Sequence, residues 1–591
     1  MSRRSVVSML GAAALLAASV AGASSASALP LDATAPSSQS FGEVAVYGTA
    51  ERTITVTASG GPVTFGARPT IEPFNGALDQ AADYTVVSET CSDTTVVAEG
   101  TCSVTVSFNP FAAGLRQANL SVVATSPASV VTVALSGTGV PNATGTYYGL
   151  EQPQRALDTR GPAGTAPPVP AEGIVSVQVA NQFGIPATGV SAVVINLTAV
   201  RSASAGYLTA YPSLTPRPTE TSSINFPKGA TIANMVTVPV GSDGKVSVYN
   251  NGGNVHILVD VMGWYAKDDS VRTAPIDKGM GSQFLSPGDP ERMYNSIQDP
   301  LNSNLPFFGG DWIEFEDTWD AEAAATSVKA YAVTITAFRA NASGHMTAWA
   351  GGDAPMPAVS NVNFQKGVAA PNMAIVPAGH YTPTSTGFRI EVAGTGTVHL
   401  IVDLLGYYVT DDSTGLRFKP LAGPSPLRIL DTRRGLGATA GKIGANASRQ
   451  AAASVAGPDS IFVVGNTTGV LPSAQTYLTV WSGATTTPPG ASTLNLVAGV
   501  NRAVSTYAPL SFGAGGAASY RIYNNAGSTH VLFDAAGTLD VYPGQTVIPT
   551  PAVTGKVTGD AATADRTVGG RTIPGASTFA TGHEGTTHRR G

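Results

Sequence analysis

Four short motifs recur in the same order three times along the chain, and this triplication limits the possible folds more than any other feature. Each copy closes on an apolar segment that ends in aspartate: 255–260 (VHILVD), 398–403 (VHLIVD) and 529–534 (THVLFD). The other motifs are an opening arginine (Arg155, Arg292, Arg428), a strand-like segment (205–209, 343–347, 475–479) and an asparagine (Asn225, Asn363, Asn495). The closing aspartates are 143 and 131 residues apart, a spacing typical of one small domain. We therefore predict three related modules in tandem.

The composition and the local pattern both favour β-structure. Segment 51–58 (ERTITVTA) alternates apolar and polar residues, which is the period expected of a half-buried strand. Charged residues make up only 12% of the chain, whereas it has 66 Gly and 41 Pro, so turn formers are abundant and long helix formers are few. The predicted class is all-β, with tandem β-sandwich domains.

The motifs and the composition between them predict the domain boundaries. We expect a signal peptide at 1–28, an immunoglobulin-like β-sandwich at 37–140, β-sandwich modules at 147–266, 291–410 and 420–543, a connector at 267–290 and a disordered tail at 544–591. The tail is rich in Thr, Gly, Ala and Pro and has little apolar periodicity. The sequence leaves open whether the modules pack together or form a rod.

The N-terminus has the features of a secretory signal. Arg3 and Arg4 precede an uncharged apolar stretch at 6–23, and cleavage is expected after Ala28. Its removal leaves 31 basic residues against 39 acidic ones, a formal charge of −8. That balance argues against nucleic acid and anionic membranes as partners. We expect an extracellular protein, with no membrane insertion after cleavage. In that setting Cys91 and Cys102 favour a mutual disulfide, and two free thiols are the alternative.

Two parts of the chain resemble known families. Segments 41–44 (FGEV), 104–110 (VTVSFNP, after the two cysteines) and 135–139 (LSGTG) are similar to the choice-of-anchor D domains and the hydin- and ASH-like modules. Segments 157–160 (LDTR) and 259–265 (VDVMGWY) resemble an LDTR-type repeat of exported actinobacterial proteins, with weaker copies downstream. The first resemblance implies a scaffolding or interaction domain. The second implies an accessory module of secreted or surface proteins.

The charged residues that recur in all copies predict one ion pair in each module. The pairs are Arg155–Asp260, Arg292–Asp403 and Arg428–Asp534, each joining the first strand of a module to its last. A histidine stands four residues before each aspartate, but on a strand these positions are about 13 Å apart, which is too far for a His–carboxylate dyad. We interpret the aspartates as structural anchors.

The aromatic residues after the closing motifs leave two functions open. Trp264, Tyr265, Tyr407 and Tyr408 stack on sugar rings if they are exposed and complete a core if they are buried. The first alternative is a non-catalytic secreted or cell-envelope-associated structural or interaction protein, adhesin-like in organisation. The second is a polysaccharide-binding protein that uses exposed aromatics of the repeats. No nucleophile elbow, phosphate-binding loop or EF-hand pattern occurs, so we expect no enzyme, cofactor or metal, and the partner is an unknown envelope protein or a polysaccharide.

Overall fold

The computed structural model describes residues 33–541 except 47, 112, 162–166, 273–277, 299–304, 320, 411–414 and 514–515, together with three short strands nearer the C-terminus. The signal peptide predicted at 1–28 therefore lies outside the described residues. The chain divides into two compact units, Met1–Val140 and Pro141–Gly591. The predicted all-β class of tandem sandwiches is confirmed in both. None of the helices in the described part of the chain has the length and apolar character that a membrane crossing needs.

The first unit is a two-sheet sandwich. One sheet has the order β1-β3-β8-β6, and the other β2-β10-β9-β4-β7, with β5 on β9. Its elements are β1 (Ala33–Thr34), β2 (Ser38–Ala45), β3 (Ala50–Ala58), β4 (Val63–Phe65), β5 (Thr70–Pro73), a 3-10 turn (Phe74–Gly76), α1 (Leu78–Ala81), β6 (Tyr84–Glu89), β7 (Thr95–Val96), β8 (Thr101–Phe108), β9 (Gly114–Ser126) and β10 (Ala128–Val140). The predicted disulfide between Cys91 and Cys102 is present. Ile54 and Val56 of β3 face the core, as the alternation predicts.

The first module of the second unit is also a sandwich. Its sheets have the orders β11-β18-β13-β16 and β12-β17-β14-β15. The elements are β11 (Tyr147–Asp158), β12 (Ile174–Gln178), β13 (Val190–Val200), β14 (Gly206–Pro212), β15 (Ile224–Phe226), β16 (Thr231–Pro239), β17 (Lys245–Asn250), β18 (His256–Ala266) and a 3-10 turn (Asp269–Arg272).

The second and third modules repeat this plan but share one sheet, whose order is β26-β23-β29-β19-β30-β39-β33-β36. The elements of the second module are β19 (Gln283–Leu285), β20 (Glu291–Asn295), β21 (Phe307–Phe308), β22 (Trp312–Thr318), α2 (Glu322–Ser327), β23 (Val328–Phe338), β24 (Gly344–Trp349), β25 (Val362–Phe364), β26 (Ala370–Pro377), β27 (Gly379–Thr382), β28 (Ser385–Gly394) and β29 (Thr397–Val409). Those of the third are β30 (Leu416–Pro420), β31 (Leu427–Asp431), β32 (Ala447–Ala452), β33 (Ser460–Val470), β34 (Thr476–Trp481), β35 (Leu494–Leu496), β36 (Arg502–Pro509), β37 (Ser511–Phe512), β38 (Ala518–Asn524) and β39 (His530–Val541).

Two segments that were predicted to have no regular structure contain strands. Within the connector predicted at 267–290, β19 pairs with β29 and β30 because Phe284 is apolar and packs, fully buried, against Tyr408 and Phe462. Of the tail predicted to be disordered at 544–591, the structure describes β40 (Arg566–Val568), β41 (Arg571–Ile573) and β42 (Thr578–Gly582), and the rest lies outside the described residues.

The central strands explain how the three modules become one body. β13 is buried along almost its whole length, so both of its faces are covered. Val193 and Ile195 face the core of their own sandwich, whereas Ala192 and Val194 face a second core that all three modules build together. Because the pleat sends alternate side chains to opposite faces, a continuous apolar run serves both cores at once.

Candidate functional site

Each predicted Arg–Asp pair is present in the structure. Arg155, Arg292 and Arg428 stand directly across antiparallel strands from Asp260, Asp403 and Asp534 in the register, and each Nε donates to a carboxylate oxygen. The aspartates are 1% exposed, so they are withdrawn from water in every module. Burial raises the pKa of Asp403 to about 6, although Arg292 acts in the opposite direction.

The modules contact one another cyclically, at two junctions through these pairs and at the third through the neighbouring Asn196. The Ser222 N–H of the first module donates to Asp534 of the third (3.0 Å), and the Ser492 N–H of the third donates to Asp403 of the second (3.3 Å). Ser360 holds the equivalent position in the second module, and its carbonyl accepts a hydrogen bond from Asn196 of the first (2.7 Å). Each module thus lays one loop on the anchor strands of its neighbour.

Four asparagines join the modules at two of these junctions, and of these the sequence pattern had indicated only Asn196. Asn372 donates to Asn196 (3.0 Å), and Asn234 donates to Asn466 (2.9 Å). The Oδ1 atoms of Asn372 and Asn234 also accept backbone N–H groups of the neighbouring module, from Met235 and Ser505. The recurring Asn-Met pairs at 234–235 and 372–373 were the available signal. Of the asparagines singled out from the sequence, Asn225 and Asn363 accept a serine hydroxyl of their own loop, whereas Asn495 Oδ1 has no partner among the described residues.

The aromatic residues proposed for sugar stacking are buried. Trp264, Tyr265, Tyr407 and Tyr408 are between 1% and 3% exposed. The possible carbohydrate-stacking role assigned to them is therefore wrong, because a ring needs a solvent-facing side to stack on a sugar.

Tyr265 and Tyr408 instead meet Tyr507 in the shared core. Their hydroxyls form a hydrogen-bonded triangle with sides of 2.5, 3.2 and 3.0 Å. The third module has Leu539 on β39 where the other two have this tyrosine, and it supplies the third hydroxyl from β36, which lies on the other side of β33. The triangle contains one hydroxyl from each module.

The recurring histidines contact hydroxyl groups and not carboxylates. Nδ1 of His399 lies 2.9 Å from Ser296 Oγ, and His530 lies 3.2 Å from Thr432 in the same way. The Ser296 hydroxyl is buried and also accepts the Leu400 N–H, so this contact fastens the first strand to the last. Among the described residues, no group of three His, Cys, Asp or Glu side chains is placed to hold a metal ion.

A cleft of about 880 Å³ opens between the first and second modules. The guanidinium groups of Arg155, Arg160 and Arg201 and the imidazoles of His256 and His345 line it, and none of its described lining residues is acidic. By contrast, the cavities beside Asp534 and Asp403 at the other two junctions measure about 10 Å³ each.

The carboxylates nearest to the cleft already have partners. Asp158 accepts hydrogen bonds from Arg160 (2.6 Å) and Arg155 (3.2 Å), and the Arg160 guanidinium lowers the pKa of Asp158 to about 2. Asp260 is covered by Arg155. The Arg201 side chain is exposed and makes no hydrogen bond or ion pair within the described part of the chain. The cleft therefore presents an excess of positive charge.

Comparisons with known proteins do not identify the chain. No protein-family model matches it, and no curated protein sequence matches it. Among solved structures, the secreted serine protease VesC from Vibrio cholerae is similar to 40% of this chain, at 11% sequence identity and a TM-score of 0.16. The chain spans about half the length of that protease chain, 51%. A likeness of this size says nothing about the activity of the protein.

Proposed function

We propose that the chain is an exported, non-catalytic interaction protein of the bacterial cell envelope, in which three modules act as one rigid scaffold. The observation that carries this proposal is the hydrogen-bonded triangle of Tyr265, Tyr408 and Tyr507, to which each module contributes one buried hydroxyl. A protein that fixes three modules through a common core presents their outer surfaces in a constant arrangement.

The use made of the recurring polar residues supports the scaffold. The three Arg–Asp pairs, the histidine–hydroxyl contacts and the asparagine bridges fasten strands or modules to each other. Beside Asp534 and Asp403 the cavities measure only about 10 Å³ each, so the recurring residues are not kept together around an open site in every module, as the groups of a repeated active site would be. The signal sequence, the disulfide and the resemblance to exported repeat proteins support the location, in an actinobacterial or similar envelope.

Fractionation of the producing cells tests this function. Antibody against the mature protein is expected to detect it in the medium or the wall fraction, with an N-terminus that follows Ala28. A cytoplasmic location with residues 1–28 retained contradicts the proposal. So does turnover of peptide, ester or glycoside substrates that survives purification to homogeneity.

A further inference from the structure

The cleft between the first and second modules carries positive charge that the protein does not neutralise. Arg155 and Arg160 face Asp158 and Asp260, so three guanidinium groups in the cleft stand against two carboxylates. Arg201 supplies the excess, and its planar donor fork is suited to carboxylate or phosphate oxygens. This charge is local, because the mature chain as a whole is acidic.

The size and polarity of the cleft fit a chain of hydroxyl-rich rings. A volume of about 880 Å³ falls within the range of small-molecule sites and is far larger than one inorganic ion needs. Thr198 and Asn363 add a hydroxyl and an amide group to the lining, which match sugar hydroxyls. Apolar residues, among them Val200, Leu258 and Met356, make up much of the remaining lining, so the cleft offers both polar and apolar surface to a ligand.

The junction between the first and third modules shows what such a position accepts. There Glu220, two residues before Ser222, pairs with Arg434 (2.7 Å) beside the opening motif of the third module. Ala358 occupies the same position before Ser360 of the second module, so no side-chain carboxylate projects from it into the cleft. The first module also has Gly161 where the third has Arg434, so both partners of this internal pair are missing from the cleft and the space that they fill at the other junction stays open.

A second substitution widens the cleft. Position two of strands β14 and β34 is tyrosine, Tyr207 and Tyr477, and the equivalent residue of β24 is His345. Each tyrosine lies near the opening arginine of the neighbouring module. Burial raises the pKa of Tyr207, and Arg428 acts against that rise. Burial also raises the pKa of Tyr477, and there Arg292 acts against it. The shorter imidazole of His345 leaves room beside Arg155.

We propose that this cleft binds an acidic oligosaccharide, a chain of sugar units that carries carboxylate or phosphate groups. This ligand class rests on the proposed interaction function and specifies what one site of the scaffold binds. The guanidinium of Arg201 binds the acidic group, and the polar side chains of the second module bind the ring hydroxyls.

Isothermal titration of the mature protein provides the test. The probes are tetragalacturonate, which carries one carboxylate on each ring, its fully methyl-esterified form, which keeps the rings and removes the charge, and a phosphorylated tetrasaccharide, which carries phosphate in place of carboxylate. We expect one saturable site for an acidic probe, weakened by added salt, and no binding of the ester. Whichever acidic probe binds more tightly identifies carboxylate or phosphate as the source of the charge.

Three variants locate the site. Arg201→Gln removes the excess charge from a side chain without structural partners, and we expect affinity to fall about tenfold, the loss typical of one charge-assisted hydrogen bond. Ala358→Glu copies Glu220 and is expected to abolish binding through an internal carboxylate. Arg339→Gln is the matched control, because Arg339 follows β23 as Arg201 follows β13 but lies outside the cleft. Melting temperatures verify that all three variants fold.

The outcomes separate this site from the scaffold. Equal binding of the ester, no saturable binding of either acidic probe, or unchanged affinity in both Arg201→Gln and Ala358→Glu overturns the cleft as an acidic-saccharide site and leaves the scaffold standing. Cleavage of the tetramer, seen by product analysis, overturns the non-catalytic function and leaves the ligand class standing. Binding that only the cleft variants weaken supports both.

Discussion

The junction between the first and third modules and the junction between the second and first are built on the same framework and differ in access. At the former, the Arg428 side chain is 5% exposed, whereas Arg155 at the latter is 30% exposed. Both arginines pair with a closing aspartate that is 1% exposed. Repetition therefore preserves the ion pair, and side chains of the neighbouring module decide whether water and solutes reach it.

Removal of the aspartate at each junction should give the largest effects and sharpen this contrast. Asp534→Ala strands Arg428 in a buried site, and we expect a loss of about 3–5 kcal/mol in the free energy of unfolding. Asp260→Ala leaves Arg155 partly hydrated, and we expect about 1–2 kcal/mol. All five tryptophans lie in the second unit, so fluorescence during denaturant unfolding reports on it alone. Equal losses of unfolding free energy in Asp534→Ala and Asp260→Ala contradict the proposed difference in water access between the two junctions.

The tyrosine triangle should give the next largest effect, since it joins all three junctions at their centre. Tyr507→Phe removes one hydroxyl, so the buried hydroxyls of Tyr265 and Tyr408 each lose one hydrogen-bond partner. We therefore expect a loss of about 1–2 kcal/mol in the free energy of unfolding. Tyr520→Phe is the matched control, because the Tyr520 hydroxyl is buried without a partner among the described residues. The control should unfold at the wild-type midpoint or later. A similar loss in both variants shows that the triangle contributes no more than an isolated phenol.

The local pattern of the sequence predicted much of this framework. Period-two alternation and the repeated motifs predicted the sandwich class, and the recurrence of Arg155 and Asp260 in every copy predicted their pairing. Each copy buries a charged aspartate, and a buried charge needs a partner of opposite sign. The arginine that recurs in every copy was therefore the evidence for the pairing.

The relation between the modules could not be predicted from motifs within one module. Tyr507 stands on β36 and replaces a hydroxyl that the closing segment of the third module lacks, so no comparison of closing segments finds it. Burial of Tyr265 and Tyr408 depends on the second core, which exists only when all modules are assembled. The cleft depends on Ala358 and His345, which are inconspicuous in sequence.

The opening carboxylates predict an acid-dependent effect of smaller size. Hydrogen bonds from Arg160 lower the pKa of Asp158 to about 2, and those from Arg433 hold the pKa of Asp431 below its usual range although burial opposes this. A lowered folded-state pKa adds stability above the unfolded value near 4, and this stability disappears as the pH falls through the folded value. The gap in melting temperature between wild type and Asp431→Asn should therefore narrow progressively as the pH falls below about 4.

Asp158→Asn gives the same trend with a smaller gap, worth less than about 1 kcal/mol, because the Asp158 side chain is 27% exposed and solvent screens it. The second module has Asn295 at this position, so Asn295→Asp is the converse variant. It should acquire a weaker dependence, since the Ile297 N–H still donates to the side chain but no guanidinium replaces that of Arg160. A gap that widens on acidification contradicts the assigned direction of the shift.

The smallest effect on stability is expected from Glu220→Ala, and this variant bears most directly on the difference between the junctions. Glu220 and Arg434 are both about half exposed, so their ion pair adds little to the stability of the folded state and the melting temperature should not change measurably.

Removal of the Glu220 carboxylate nevertheless leaves Arg434 without its partner from the first module, as Ala358 leaves the cleft open at the second junction. We expect the stoichiometry for an acidic oligosaccharide to rise from one site to two, with the new site weaker because Tyr207 remains in place. If only one site is found with Glu220→Ala, while Arg201→Gln weakens that site, then the bulk of Tyr207 and not the internal carboxylate keeps the first and third modules closed. Glu220→Ala combined with Tyr207→His removes both obstacles at that junction, and a second site is then expected with Arg434 as its cation, because Leu471 stands at the position of Arg201.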